Sequence, residues 1–306
     1  MTQQLTSIFF ILLPLFVGFC ISLSNKKYII ALNRIINFIV NIILLLIGVS
    51  LSQLSNTDIS LIKIPLYASI FLCITLVANG FCIAIFDKYF PWEYLQKSES
   101  HEKTSYFIWQ DTVKQLLIVA IGWLLGKLFP SITYLMEGAI NYLLMLLLLL
   151  IGIQLRSSGI KIHQVLLNKR GVVLAILSII ATLIGAIIAG MIIEIPIFQS
   201  LALGSGFGWY SLSGSVLTHA YGAFWGTVAL LNDLGREIFA LIFIPTLMKR
   251  YPSVAISTGG ATALDLTLPT ILRSGGVMAV PFAVSYSFII NVLSPILMII
   301  FSGRVV

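Results

Sequence analysis

Long apolar runs constrain this chain more than any other feature of its sequence. The hydrocarbon core of a bilayer is about 30 Å thick, so a helix needs about 20 mostly apolar residues to cross it. Eight runs of roughly that length are present, at 6–23, 28–51, 64–86, 112–129, 137–154, 171–193, 232–248 and 277–302. We therefore expect an all-α polytopic membrane protein with about eight transmembrane helices.

Composition supports this interpretation and excludes a soluble globular domain. Of the 306 residues, 59% are hydrophobic and 9% are charged, and the mean hydropathy is +1.05, whereas about a quarter of the residues of a soluble domain are charged. The net charge of +7 does not indicate nucleic-acid binding. The basic residues lie singly or in pairs between apolar runs, not in one patch interleaved with aromatic residues.

Nothing in the sequence indicates a metal site, a cofactor, a disulfide or a cleaved leader. Cys20, Cys73 and Cys82 lie inside apolar runs without metal-ligand spacing, so we expect them to be packing residues. No Lys or Arg precedes the first apolar run, so this segment is expected to remain as a helix. We predict one membrane domain over 1–306, with amino-terminal helices over 1–129 and a carboxy-terminal part over 137–306.

Two further apolar stretches, near 196–231 and 256–275, are too interrupted for ordinary membrane helices. Glycine allows the chain to turn and a ligand to approach the backbone, although glycines also serve close helix packing in membranes. The glycines in question are Gly204, Gly206, Gly208, Gly214, Gly259 and Gly260.

Lysine and arginine in the short loops predict the orientation, because they concentrate on the inner side. With the amino terminus outside, most of the 18 basic residues lie inside. The exceptions are Lys63, Lys127 and Arg304, which fall outside, and Arg236, which lies within the membrane. This arrangement requires 196–231 to enter and leave at the outer face and 256–275 at the inner face.

We therefore predict two re-entrant hairpins of opposite orientation that meet near the midplane. Non-helical backbone must be shielded from lipid, and secondary transporters build substrate sites from such paired segments. Both termini are predicted outside a bacterial inner membrane. The charged segment 87–111 is predicted to be a solvated loop.

Ionisable residues in apolar segments mark the candidate site. Asp233, Arg236 and Glu237 interrupt one span and Asp265 lies in the second hairpin, although each charge costs roughly 2.5–3.5 kcal/mol at the bilayer centre. Arg236 neutralises one acid and leaves a formal charge of −2, which a buried site holds only by protonation or by binding a cation. A structural pair between Asp233 and Arg236 is the alternative for Asp233.

Other polar residues have two interpretations each. His219 is either a proton carrier or a hydrogen-bonded packing residue. Asn33, Asn37 and Asn41 recur every four residues on the second span and so share one face, for interhelical hydrogen bonds or for lining a pathway.

Two other classes of function fit less well. A serine protease dyad of Ser213 and His219 would need facing side chains, but five residues on one limb separate them. Aspartyl intramembrane proteases have a Gly-Asp signature that is absent at Asp233 and Asp265. A channel needs a continuous polar pore, whereas the polar residues here cluster at one depth. We therefore expect a transporter and not an enzyme.

Three blocks resemble the LysO family of bacterial lysine exporters: SGFGWYSLSG at 205–214, NDLGRE at 232–237 and GGATALDLTLPTILRSGG at 259–276. The resemblance implies an inner-membrane protein of eight spans that exports L-lysine and analogues such as thialysine in exchange for protons. It also implies that Glu237 and Asp265 are functional acids. The family has an acidic residue after the position of Thr218, where this chain has His219.

In this interpretation the acids bind ammonium groups, while glycine N–H groups and hydroxyls bind the carboxylate. Aromatic rings cover the methylenes or make cation–π contacts. The alternative is a sodium-coupled carrier of an organic anion or another amino acid. The sequence does not decide between proton and sodium coupling, or between a monomer and a homodimer. Besides the residues named above, the predicted site contains Asn232, Trp209, Tyr210, Ser211, Ser213 and Thr267.

Overall fold

The protein is all-helical throughout the part described by the computed structural model, which comprises 13–52, 58–92, 105–129, 139–157, 168–264 and 266–303. Short 3₁₀ turns at Gly260–Leu264 and Val277–Ala279 accompany the α-helices. The α-helices in chain order are α1 (13–19), α2 (Lys26–Ser52), α3 (Asp58–Tyr89), α4 (Ser105–Leu128), α5 (Ala139–Ser157), α6 (Lys169–Ile192), α7 (Ile197–Gly204), α8 (Tyr210–Tyr221), α9 (Ala223–Leu247), α10 (Pro252–Gly259), α11 (Leu268–Gly275) and α12 (Val280–Ser302).

Within these ranges, four helices are long and apolar enough to cross a membrane. They comprise Lys27–Val49, Ile62–Tyr89, Lys169–Ile192 and Val280–Ser302, and Leu117–Leu128 and Tyr142–Gln154 are shorter apolar helices. The 25 residues of α9 are also long enough, but three charged side chains lower its hydropathy. The number of membrane crossings therefore stays a prediction.

Helix α6 shows the side-chain distribution of a membrane helix. Isoleucines at every fourth position, including Ile180 and Ile184, are exposed on its outer face. Its buried face is made of small residues such as Ser178, Gly185 and Ala189. Small residues allow close helix contact where lipid gives no hydrophobic drive for association.

The first broken segment comprises α7, a break at 205–209 and α8. Ser200 lies against Gly190 and Gly204 lies against Ala186, so α7 runs back along α6. The Tyr221 hydroxyl donates to the Phe301 carbonyl oxygen at 3.5 Å, near the end of α12. Both ends of this segment thus lie where α6 and α12 end.

The second broken segment, α10 to α11, starts and finishes at the opposite end of the bundle. The Ser253 N–H, at the start of α10, donates to Asp87 Oδ2 at 2.9 Å, beside the start of α6. At the end of α11, Gly275 lies against Met248 and Ala279.

The first break (205–209) and the second break, between α10 and α11, meet in the interior, as the sequence predicted. The Ala261 N–H donates to the Phe207 carbonyl oxygen at 2.9 Å. Gly260 has φ +57°, and a Cβ there would collide with the same carbonyl, so glycine is required on both counts.

Two predicted boundaries are wrong. The first hairpin does not extend to 231: Gly222, with φ +86°, ends α8, and α9 begins at Ala223 instead of 232. Residues 223–231 contain no proline and continue the helix. The second segment begins at Pro252 instead of 256, because proline suits the first turn of a helix.

The predicted solvated loop over 87–111 is wrong at both ends, and α4 already begins at Ser105. Helix α3 continues to Tyr89, and Asp87 is buried. Its Oδ1 lies 3.2 Å from Arg170 Nη2 and accepts a hydrogen bond from Trp92 Nε1. A partner 83 residues away compensates the charge, and local polarity cannot reveal such a partner. Residues 93–104 lie outside the described ranges.

Candidate functional site

A cavity of about 550 Å³ with both polar and apolar lining residues lies between the two breaks and α2. The first break contributes Trp209 to its wall and the first turn of α8 contributes Tyr210 and Ser211, while the second break contributes Ala261 and Thr262. The aromatic rings and the hydroxyl of the predicted site are thus brought together at the contact between the breaks.

The opposite wall is rich in carboxamides. Asn33, Asn37 and Asn41 of α2 line the cavity together with Gln154 of α5. The Gln154 Nε2 donates to Asn33 Oδ1 at 3.1 Å. The stripe therefore carries an interhelical hydrogen bond and also lines the cavity, and the transport pathway along it stays a prediction.

The cavity is confined to one half of the bundle. Its α2 lining runs from Ile29 to Asn41 and includes nothing nearer the end of that helix. Beyond it, Gly48 lies against Val119 and Gly122 against Leu45, so α2 and α4 pack backbone to backbone there. The cavity is thus closed at this end and extends towards the end where α2 begins.

Asp233 lies behind the cavity wall and holds the first break. It is 1% exposed, and its Oδ1 accepts hydrogen bonds from the Gly208 N–H at 3.0 Å and from Asn232 Nδ2 at 3.1 Å. A Cβ at Gly206 would collide with the carboxylate. Asp233 therefore fills the space that glycine leaves, and Asn232 supports Asp233 instead of facing the cavity.

Arg236 holds the second break. Its Nε donates to the Thr258 carbonyl oxygen at 3.2 Å and its Nη2 to the Ser257 carbonyl oxygen at 2.9 Å. These carbonyls lie in the last turn of α10, where the helix dipole is negative and carbonyls lack helical partners. The guanidinium thus binds backbone carbonyls. The alternative interpretation had expected an ion pair between Asp233 and Arg236, but the structure, which describes both residues, shows no direct ion pair between them.

Glu237 is the α9 acid that reaches the cavity. It is 7% exposed and contributes to the lining beside Tyr210. Asp265 lies outside the described residues, although Leu264 and Leu266 on either side of it both line the cavity. The formal charge of the whole site therefore stays a prediction.

Several predicted residues are not brought to the cavity. His219 is exposed near the end of α8. Ser213 is fully buried and donates to the Tyr210 carbonyl oxygen at 3.4 Å, so it does not face His219. Thr267 is also buried, and its N–H donates to the Thr262 carbonyl oxygen at 3.0 Å.

The predicted glycines divide into two groups. Gly206, Gly208 and Gly260 lie in or directly beside the breaks, and Gly208 has φ +90°. The other three lie inside short helices, where Gly204 packs against Ala186 and a Cβ added at Gly214 would lie 3.3 Å from the Leu230 Cβ. A Cβ added at Gly259 would lie only 2.6 Å from Thr267 Oγ1. The alternative of close packing is correct for Gly204, Gly214 and Gly259.

Sequence reasoning missed a row of polar residues on α12 that supports the breaks. Ser294 Oγ donates to the Ser205 carbonyl oxygen at 2.7 Å. Ser287 Oγ and Asn291 Nδ2 donate to the Ala261 carbonyl oxygen at 2.7 and 2.8 Å. Ser287, Asn291 and Ser294 are spaced by four and three residues and so share one helical face. This spacing could have identified them in the sequence.

A second missed residue is Lys114, one of the basic residues that the sequence analysis places on the inner side of the membrane. It lies on α4 and lines the cavity. Its position between a charged segment and an apolar run gave no reason to separate it from the other basic residues near helix ends.

The fold and the cavity are typical of an integral membrane transporter, in which two broken helical segments meet beside a cavity. The sequence comparisons identify the group within that class. The family described as "Lysine exporter LysO" matches residues 116–302, and this chain belongs to that family.

Two relatives support the assignment. Lysine exporter LysO of Escherichia coli (strain K12) is 36% identical over 296 residues, which is 96% of this chain and 98% of the relative. A Haemophilus influenzae protein named as a candidate lysine exporter is 46% identical over 188 residues, 61% of this chain and 96% of the relative. No solved structure matches the chain.

Proposed function

We propose that this protein exports L-lysine across the bacterial inner membrane in exchange for protons, and that Glu237 binds an ammonium group of the substrate. The observation that carries the proposal is the position of Glu237 on the wall of the cavity where the two breaks meet. The names of both relatives support lysine as the substrate.

The distribution of charge supports the predicted orientation. Lys249 and Arg250 follow α9 at the end where α6 begins, whereas Lys63 and Lys127 lie at the opposite end. With basic residues on the inner side, the first broken segment is a hairpin from the outer face. The second is a hairpin from the inner face, and the cavity extends towards the cytoplasm, where an exporter binds its substrate.

Cavity chemistry suits a long cationic amino acid. Glu237 attracts an ammonium group, and Trp209 and Tyr210 provide aromatic surface for the methylenes. A cavity of this size lies within the range of about 300–1,000 Å³ that is usual for small-molecule sites. Thialysine, a cationic analogue of similar length, fits the same description.

Exchange follows if lysine and protons compete for the same acids. A protonated Glu237 or Asp265 has lost its charge and its attraction for the cation. Protons arriving from outside would then release lysine there, and deprotonation towards the cytoplasm would restore binding. A bound ligand shifts a two-state equilibrium only through such differential affinity.

Lysine efflux from lysine-loaded proteoliposomes in sodium-free buffer tests the proposal. An acidic external medium should accelerate efflux by the wild type, and Glu237→Gln and Asp265→Asn should abolish the response. Efflux that requires sodium, or that ignores the pH gradient, would overturn proton exchange.

A further inference from the structure

Lys114 places a positive charge in the same cavity as Glu237. Two close contacts align α4 with α2: Gly122 lies against Leu45 and Gly48 against Val119. Two helical turns earlier, this parallel alignment brings Lys114 to the level of Asn37, and both residues line the cavity. Glu237 belongs to α9, on another wall.

The charges on the described lining are therefore one acid and one base on different helices. Lys114 is exposed, and its ammonium makes no ion pair with any residue that the structure describes. Arg236, in contrast, is fixed by the carbonyls of α10. Lys114 is thus the base that is available to a ligand in the cavity.

The carboxamides beside Lys114 add hydrogen-bond donors. Asn37 and Asn41 lie on the same helical face, and an asparagine carries two N–H donors. A carboxylate accepts several hydrogen bonds at once and binds most strongly where one donor is charged. This combination of groups fits a carboxylate better than it fits a second ammonium.

We propose that Lys114, assisted by Asn37 and Asn41, binds the substrate carboxylate and so makes the cavity selective for an amino acid over a diamine. The inference rests on the proposed function and deepens it, since it assigns opposite ends of the substrate to opposite walls. The Ser211 hydroxyl, one of the hydroxyls to which the sequence had assigned the carboxylate, would then contact the remainder of the substrate.

Binding of L-lysine and cadaverine to the purified full-length protein tests this inference. Cadaverine is lysine without its carboxylate. We expect the wild type to bind lysine about tenfold more tightly than cadaverine, as one charged hydrogen bond allows. Lys114→Met should reduce this ratio to about one by weakening lysine alone, while Lys114→Arg should retain it.

Lys88→Met is the matched control, because Lys88 is exposed at the same end of the bundle and does not line the cavity. A Lys114→Met variant that keeps the wild-type ratio would overturn the inference and return the carboxylate to Ser211. Loss of both ligands by a variant that melts like wild type would also overturn it. A wild type that binds neither ligand would contradict the proposed function itself.

Discussion

At the residue scale, Asp233 and Glu237 are one helical turn apart on α9 but have different surroundings. Asp233 accepts the Gly208 N–H, whereas Glu237 lines the cavity. The sequence placed both on one helical face and could not separate them, because the separation depends on a glycine 25 residues away in the chain. We therefore propose a structural role for Asp233 and a transport role for Glu237.

Substitution at the two acids should affect different properties. Asp233→Ala removes the acceptor of a buried N–H and should cost about 2 kcal/mol of stability, whereas Asp233→Asn retains an acceptor oxygen and should cost less. Glu237→Gln should leave the melting temperature close to wild type and abolish transport. Melting in detergent measured beside lysine efflux checks this, and a stable, transport-inactive Asp233→Asn would contradict the assignment.

Gly206 gives a second test at this scale. A methyl group there collides with the Asp233 carboxylate, so Gly206→Ala should destabilise the protein by roughly 1–3 kcal/mol through overpacking. Gly80→Ala is the control, because its Cβ meets only Val254 Cγ1 at 4.0 Å. Equal melting temperatures for the two variants would show that the first break is not packed as described.

At the element scale, uniform apolar runs predicted the long helices well, and the limits of prediction lie at the breaks. Residues 223–231 are apolar in a helix and in a buried hairpin alike, so the start of α9 depended on the conformation of Gly222. The contact between the two breaks was predictable, because non-helical backbone in a membrane must be shielded from lipid by other parts of the protein. The burial of Asp87 was not predictable, since the partners that compensate its charge come from α6 and α10.

The Asp87 contacts make a prediction about the second broken segment. Its carboxylate joins Arg170 to the first turn of α10 through the Ser253 N–H. Asp87→Asn should therefore loosen α10 and cost roughly 1–3 kcal/mol. Amide hydrogen exchange over 252–259 should rise in this variant and stay unchanged in Glu194→Gln, which neutralises an exposed acid. Equal exchange in both variants would contradict a stabilising contact between Asp87 and the start of α10.

At the scale of the whole molecule, a cavity confined to one half of the bundle predicts one-sided access. In a variant with Cys20, Cys73 and Cys82 replaced by alanine, Asn33→Cys should react with an impermeant thiol reagent applied from the cytoplasmic side. Saturating lysine should slow this labelling, because the residue lines the cavity. Lys63→Cys should react from the opposite side with no effect of lysine. Labelling of both cysteines from one side would contradict the orientation.

Lysine counterflow tests the central claim most directly, because it needs no ion gradient and depends only on substrate recognition at the cavity. Proteoliposomes loaded with unlabelled lysine and diluted into labelled lysine should accumulate label transiently with the wild type and with Glu194→Gln. Glu237→Gln should accumulate none although it remains folded. Accumulation by Glu237→Gln at the wild-type rate would show that lysine is recognised elsewhere in the protein.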